Sequence, residues 1–158
     1  MKFICDVMLG KLAKYLRIVG MDTRYSCSLA LSQVIATALS EQRTILTRRT
    51  EQLLFEQPAS CYCIQSNYPQ EQLPEVIRHF SLQADSSRFF TRCLLCNQLL
   101  VAVDKALVEG SVPEYVFSTA AEFARCPGCN KIYWKGTHCG NMIKRLEKVL
   151  GAGSGAAL

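Results

Sequence analysis

Two C-x-x-C pairs, Cys93-Leu94-Leu95-Cys96 and Cys126-Pro127-Gly128-Cys129, limit what this chain can fold into more than any other feature. Two residues between cysteines let one tight turn present both sulfurs to a tetrahedral ion at about 2.3 Å. Pro127 and Gly128 are residues that such a turn favours. A redox pair, or free core thiols, would account for one C-x-x-C but not for both. The expectation is a structural Zn2+ held by Cys93, Cys96, Cys126 and Cys129, in a zinc ribbon with an excursion over residues 97–125. Four protein ligands leave no open position at which to activate water. His138 and Cys139 follow the second knuckle and are the alternative ligands.

The other cysteines (Cys5, Cys27, Cys61, Cys63 and Cys139) read as small buried hydrophobes, the first four of them in predicted strands. A secreted disulfide scaffold would carry a signal peptide, and MKFICDVMLG is too short in its apolar part and too soon charged to be one. No apolar run approaches the roughly 18–20 residues of a spanning helix. An intracellular, most simply cytoplasmic, protein without a membrane partner is expected. Hydrophobic residues at 49% and charged residues at 20% place the chain with globular domains rather than disordered ones. The formal charge of +5 counts thiols as neutral. Four thiolates on one Zn2+ bring it to about +3, a mildly basic balance that permits a phosphate-rich partner without establishing one.

Upstream of the knuckles the chain alternates strand and helix. KFIC (2–5) is a short apolar run closed by Asp6. Met8, Leu9, Leu12, Tyr15, Leu16 and Val19 recur at helical spacing, with Lys11, Lys14 and Arg17 on a more polar side and Gly20 as the stop. TRYSC (23–27) is the second strand, and Ser28 caps a helix that buries Leu31, Val34, Ile35, Ala38 and Leu39. TILT (44–47) is the third strand, followed by a short helix near 51–55, and SCYCI (60–64) is the fourth. A helix over about 70–82 holds Pro74, tolerable only if the helix starts late, and carries His79 on its face. This rhythm predicts an α/β fold, a parallel sheet with helices on both faces, over residues 1–86. A zinc ribbon with a C-terminal basic helix over 87–150 and a flexible tail over 151–158 complete the expected organisation. LLVAV (99–103) and KIYW (131–134) are the ribbon's strands.

With these elements placed, FICDVMLGKLAKYLRIVGMDTRY, RTILTRRTEQL, RCLLCNQLL and RCPGCNKIYWKGTH resemble the Mut-seven C-terminal domain over about residues 3–148. The resemblance implies a PIN-like fold with a zinc ribbon, a domain that occurs alone or appended to Nibbler-type 3′–5′ exoribonucleases. PIN-like nucleases gather Asp or Glu at strand carboxyl ends to hold Mg2+ or Mn2+ for attack on a phosphodiester. Asp6 matches the first such position. Where the family shows an acid opening the second helix and an acid in L-T-R-D, this chain has Leu31 and Arg49. Asp22, Glu51 and Glu71 are replacement acids at non-matching positions, and Asp6 also suits a helix N-cap. Asp6 is therefore read as a vestigial catalytic residue, with Mg2+ or Mn2+ required only if the site is active.

The cations suggest what such a site would do instead. Lys11, Lys14, Arg17, Arg48 and Arg49 would gather at the sheet's carboxyl edge if the first helix begins there. Lys131, Lys135, His138, Lys144, Arg145 and Lys148 interleave with Tyr133 and Trp134 near the ribbon's end, a mixture that suits single-stranded RNA. The leading expectation is an RNA-binding accessory domain attached to a 3′–5′ exoribonuclease of small-RNA processing. The alternatives are an active metal-dependent ribonuclease, and a protein-interaction module using residues 104–125.

Overall fold

The computed structural model describes residues 1–50, 59–83, 85–136 and 146. The described chain divides into two compact units, Met1–Asn97 and Gln98–Leu158.

The first unit is built on four parallel strands, β1 (Lys2–Cys5), β2 (Asp22–Tyr25), β3 (Thr44–Thr47) and β4 (Cys61–Cys63), in the order β2-β1-β3-β4. Its helices are α1 (Gly10–Ile18), α2 (Leu31–Glu41) and α3 (Pro69–His79). Alternation along the strands sends successive side chains to opposite faces. Ile4 and Ile45 pack with Val34, Ile35 and Ala38 of α2 on one face. Phe3, their neighbour in β1, meets Phe80 just past α3 with ring centroids 5.4 Å apart, and α1 packs against α3. The expected α/β class, with helices on both faces, is the observed one.

The helix boundaries follow local chemistry. Asp6 Oδ1 accepts from the Met8 amide at 2.8 Å and caps a short 3-10 turn (Val7–Leu9) that leads into α1. The far end of α1 closes as a Schellman motif: Gly20 donates to Arg17 O at 3.1 Å and Met21 to Leu16 O at 2.8 Å. Gly20 sits at φ +82, and a Cβ there would lie 2.5 Å from the Arg88 carbonyl oxygen, so only glycine fits. α2 starts at Leu31, and Ala30 rather than Ser28 is its cap residue, its amide bonded to Gln33 Oε1 at 2.9 Å. Leu39, expected inside, is 42% exposed. Pro74 lies within α3, which begins early, at Pro69. The carbonyl that loses its donor belongs to Gln70, on the exposed side, where water can replace the bond.

The second unit carries an antiparallel sheet, β5 (Val101–Val103), β6 (Phe123–Arg125) and β7 (Ile132–Trp134), in that order. Between β5 and β6 the chain makes a 3-10 turn (Lys105–Val108) and the helix α4 (Glu114–Thr119), two elements that periodicity did not reveal. Val108, Ala120 and Phe123 form its core, with Val103, Val112, Val116, Phe117 and Ile132 against them. The short helix expected near 51–55, the basic helix over 139–150 and the tail over 151–158 lie outside the described residues.

Candidate nucleic-acid interface and metal centre

In a parallel sheet all carboxyl ends share one edge, and ligands favour the point where strand order reverses. Here the chain goes outward from β1 to β2 and then crosses to β3, so the reversal lies between β1 and β3. Asp6 follows β1 and Thr47 ends β3, so the two meet at that point. Thr47 Oγ1 donates to Asp6 Oδ2 at 2.5 Å, and the Asp6 amide extends the ladder by donating to Leu46 O at 3.0 Å. Thr47 Oγ1 also accepts from the Arg49 amide at 2.9 Å, and Arg49 Nε stands 3.7 Å from Asp6 Oδ2. The Asp6 side chain is 3% exposed and that of Arg49 35%. The carboxylate is thus already met by a hydroxyl, an amide and a guanidinium. Arg48 Nη2 donates to Asn67 Oδ1 beyond β4.

Lys11, in the first turn of α1, and Lys14 are exposed, and α1 does begin from the carboxyl end of β1. Arg17 departs from the expected polar side. It lies four residues past Ala13 on the buried stripe and is 3% exposed. Its Nε donates to Thr23 O at 2.9 Å, and Nη1 donates to Leu94 O at 2.7 Å and Leu95 O at 3.0 Å. Arg17 therefore holds the first knuckle to the sheet's amino end, away from the carboxyl edge. Asp22 also belongs to that amino end, paired with Arg43 at 2.6 Å and accepting from Asn97 Nδ2 at 2.8 Å. Burial pushes its carboxyl up, but the Arg43 and Asn97 hydrogen bonds outweigh that and hold it below the ordinary range. It cannot replace a missing acid at the other edge. Glu71 accepts from Ser66 Oγ at 2.7 Å in the loop after β4, and Glu51 lies outside the described residues.

The four cysteines of the two knuckles come together. The sulfurs of Cys93, Cys96, Cys126 and Cys129 all lie within 4.8 Å of one another, near the roughly 3.8 Å that a tetrahedral ion with 2.3 Å bonds sets. Cys93 and Cys126 are buried, and Cys96 and Cys129 are exposed. The donor set fits a structural metal such as zinc. Each knuckle closes alike: Asn97 (φ 70) donates to Cys93 O at 2.9 Å, and Asn130 (φ 58) donates to Cys126 O at 2.9 Å. Asn tolerates this left-handed conformation better than most residues.

The family model of the Mut7-C RNAse domain matches residues 1–146, nearly the whole chain. The chain belongs to the Mut7-C RNAse domain family. No curated protein and no solved structure matched it. Family membership ties this Mut7-C domain to RNA and to nucleases, and among the described residues no helix is long and apolar enough to cross a membrane.

Of the ribbon residues expected at an RNA surface in this Mut7-C domain, Lys131 is exposed and Trp134 is 38% exposed. Lys135 is exposed and paired with Glu122 at 2.7 Å. His138, Cys139, Lys144, Arg145 and Lys148 lie outside the described residues. Cys5 is buried in β1, as expected, and burial pushes its thiol far up. Cys61 and Cys63 are half-buried in β4, and burial and then Cys63 push Cys61 up to about 11. Cys27 departs from the expectation: β2 ends at Tyr25, and Cys27 is exposed. Sequence reasoning missed Thr47, Asn97 and Asn130. The repeated C-x-x-C-N string could have revealed the two asparagines, whereas nothing in TILT marks its last threonine as a partner of Asp6.

Proposed function

We propose that this chain is an RNA-binding accessory domain, the C-terminal part of a 3′–5′ exoribonuclease of small-RNA processing, with a PIN-like site that grips phosphate. The observation that carries this reading is Arg49 beside Asp6 at the strand-order reversal. A divalent ion at Asp6 would have to displace a guanidinium, and one carboxylate gives it few hard oxygens. The same guanidinium, with Arg48 and Lys11 at that edge, suits phosphate oxygens. Lys14, Lys131, Lys135 and Trp134, with His138, Lys144 and Arg145, extend the proposed RNA-binding set. Zn2+ at Cys93, Cys96, Cys126 and Cys129 has a structural role in this reading. A PIN-like domain over 1–86, a ribbon over 87–150 and a cytoplasmic setting complete the proposal.

Filter binding of the full chain to single-stranded RNA across a salt series tests it. Each phosphate contact contributes a slope of about −0.7 in log affinity against log salt. No binding at low salt, or binding indifferent to salt, would falsify the reading.

Membership of an RNAse family and the retained Asp6 favour a second reading, a metal-dependent ribonuclease. Labelled RNA incubated with Mn2+ separates the two. Cleavage that Asp6→Ala abolishes establishes the enzyme, and equal products from both proteins dismiss it. Leu107 and Tyr115, 65% and 78% exposed within residues 104–125, favour a protein-docking role for that excursion. A defined partner that stays bound when residues 104–125 are deleted would exclude such a role.

A further inference from the structure

One face of the ribbon sheet is only half covered. Side-chain alternation places Val103 and Val101 of β5, Phe123 and Arg125 of β6, and Ile132 and Trp134 of β7 on the same face. Val108, Val116 and Phe117, from the 3-10 turn and α4, cover Phe123, and Val112 and Ile132 pack into the same cluster. Beside that cluster a groove of about 520 Å3 stays open, running from Trp134, opposite Phe123 in the register, to Arg125 and Ile132 next to the second knuckle. Ser111, Val112 and Pro113 wall it on one side, with Arg125, Lys131, Ile132 and Trp134 among the residues lining the rest.

The lining has a specific chemistry. Ile132 and the half-exposed Trp134 offer an apolar, flat surface beside two cations, and among the described residues no carboxylate lines the groove. Arg125 is steadied by donating Nη2 to Leu107 O at 3.0 Å, which orients its guanidinium rather than leaving it a floppy surface charge. A carboxylate-free groove with an aromatic plane and paired cations complements a nucleobase and the phosphate joined to it. A nucleotide uses both parts of this lining at once, the indole plane for its base and the cations for its phosphate, whereas a basic peptide would be repelled by Arg125 and Lys131.

We infer that this groove is a nucleotide subsite, in which one unpaired base of single-stranded RNA stacks on Trp134 while its phosphate lies against Arg125 and Lys131. The assignment rests on the RNA-binding reading but is independent of the Asp6–Arg49 edge. Stacking of this kind tolerates any base, because every base has a π face. It adds Arg125, a residue that no sequence motif singled out, to the RNA-contacting set.

Trp134 is the only tryptophan in the chain, so its fluorescence reports on this groove alone. The full chain, metal retained, is titrated with a single-stranded oligouridine while filter binding is followed in parallel. The expected result is saturable quenching that tracks the binding curve. Trp134→Ala should lose on the order of tenfold or more in affinity. Lys131→Gln, at an exposed position, should weaken the quenching and raise its midpoint. Retained filter binding without quenching, with Trp134→Ala as tight as wild type, overturns the subsite while sparing the wider RNA-binding reading and leaves the groove to a protein ligand. No binding in either assay overturns both. Quenching that persists undiminished in Arg125→Gln and Lys131→Gln together overturns the phosphate assignment.

Discussion

At the amino end of the parallel sheet, Arg43 Nη1 lies 2.6 Å from Asp22 Oδ1, and the Arg43 side chain keeps 6% of its surface exposed. At the carboxyl end, Arg49 Nε lies 3.7 Å from Asp6 Oδ2 and Arg49 keeps 35%. The first pair is part of a strut. Arg43 also donates to Glu41 Oε2 at 2.6 Å and to the Phe3 carbonyl at 3.1 Å, tying β1, β2 and the end of α2 together. The second pair is asymmetric, with the acid buried and the guanidinium half in solvent. The same two residue types thus serve stability where both are enclosed, and leave a cation at the surface where only the acid is.

Removing the metal should separate the two ends most. A structural zinc site contributes on the order of 10 kcal/mol, and chelation should abolish cooperative unfolding of the ribbon. The Thr23 amide donates to Asn97 Oδ1 at 2.9 Å, and Asn97 is set by the Cys93 knuckle. Hydrogen exchange after chelation should therefore deprotect Thr23 while the Asp6 and Met8 amides keep their protection. Equal loss at both ends would erase the distinction.

A glycine at each end gives a smaller contrast. Gly20→Ala adds left-handed strain to a clash with backbone and should cost about 3 kcal/mol. Gly10→Ala places its Cβ 2.7 Å from the Tyr25 hydroxyl and 2.8 Å from its ring carbon Cζ, so the ring must shift against its hydrogen bond to Val7 O, which should cost about 1–2 kcal/mol. Urea midpoints of the two variants measure this, and a larger loss at Gly10 would reverse the ranking.

Arg43→Met should cost about 2–3 kcal/mol, less than a wholly buried pair because Asp22 and Glu41 keep partial access to water. The same pairs fix a pH response. Asp22 is held below 3.8, its hydrogen bonds outweighing the opposing effect of burial, and Glu41 is held below 4.5, chiefly by its hydrogen bond from Arg43. Depressed carboxyls stabilise the fold above those ordinary values, and the gain is lost as pH falls through their lower folded ones. Acid titrations of Arg43→Met should show a shallower loss over that window than wild type does. An unchanged acid limb would mean that the strut has been misassigned.

The smallest effect on stability belongs to Arg49→Ala, about 1 kcal/mol, because the buried Asp6 carboxylate keeps its bonds from the Met8 amide and the Thr47 hydroxyl when the guanidinium is removed. Its RNA affinity should fall and the salt slope should flatten by about 0.7. A large stability loss with an unchanged slope would make Arg49 a strut like Arg43.

The parallel sheet was legible because β1, β3 and β4 are short, largely apolar runs bracketed by helical periodicity, and β2 (DTRY) was placed by the helices on either side of it. The metal site was legible because C-x-x-C spacing is dictated by the ion. Arg17 was misread because a charge at helical spacing signals solvent unless a carbonyl cluster lies opposite, and those carbonyls come from Leu94 and Leu95, far along the chain. Thr47 was invisible for a related reason: a threonine closing an apolar strand looks the same whether or not its hydroxyl faces a carboxylate. The groove at Trp134 depends on how far α4 and its preceding turn reach across the sheet, which local pattern does not encode.

The bonds from Asn97 to Asp22 and Thr23 span 75 and 74 residues. A chain emerging from the ribosome at about 5–20 residues per second therefore holds the start of β2 without these partners for roughly 4–15 s. During that interval Arg17 also lacks the Leu94 and Leu95 carbonyls, although it is surrounded by apolar neighbours. Nascent chains stalled before residue 97 should consequently be better clients for chaperones than those stalled after it.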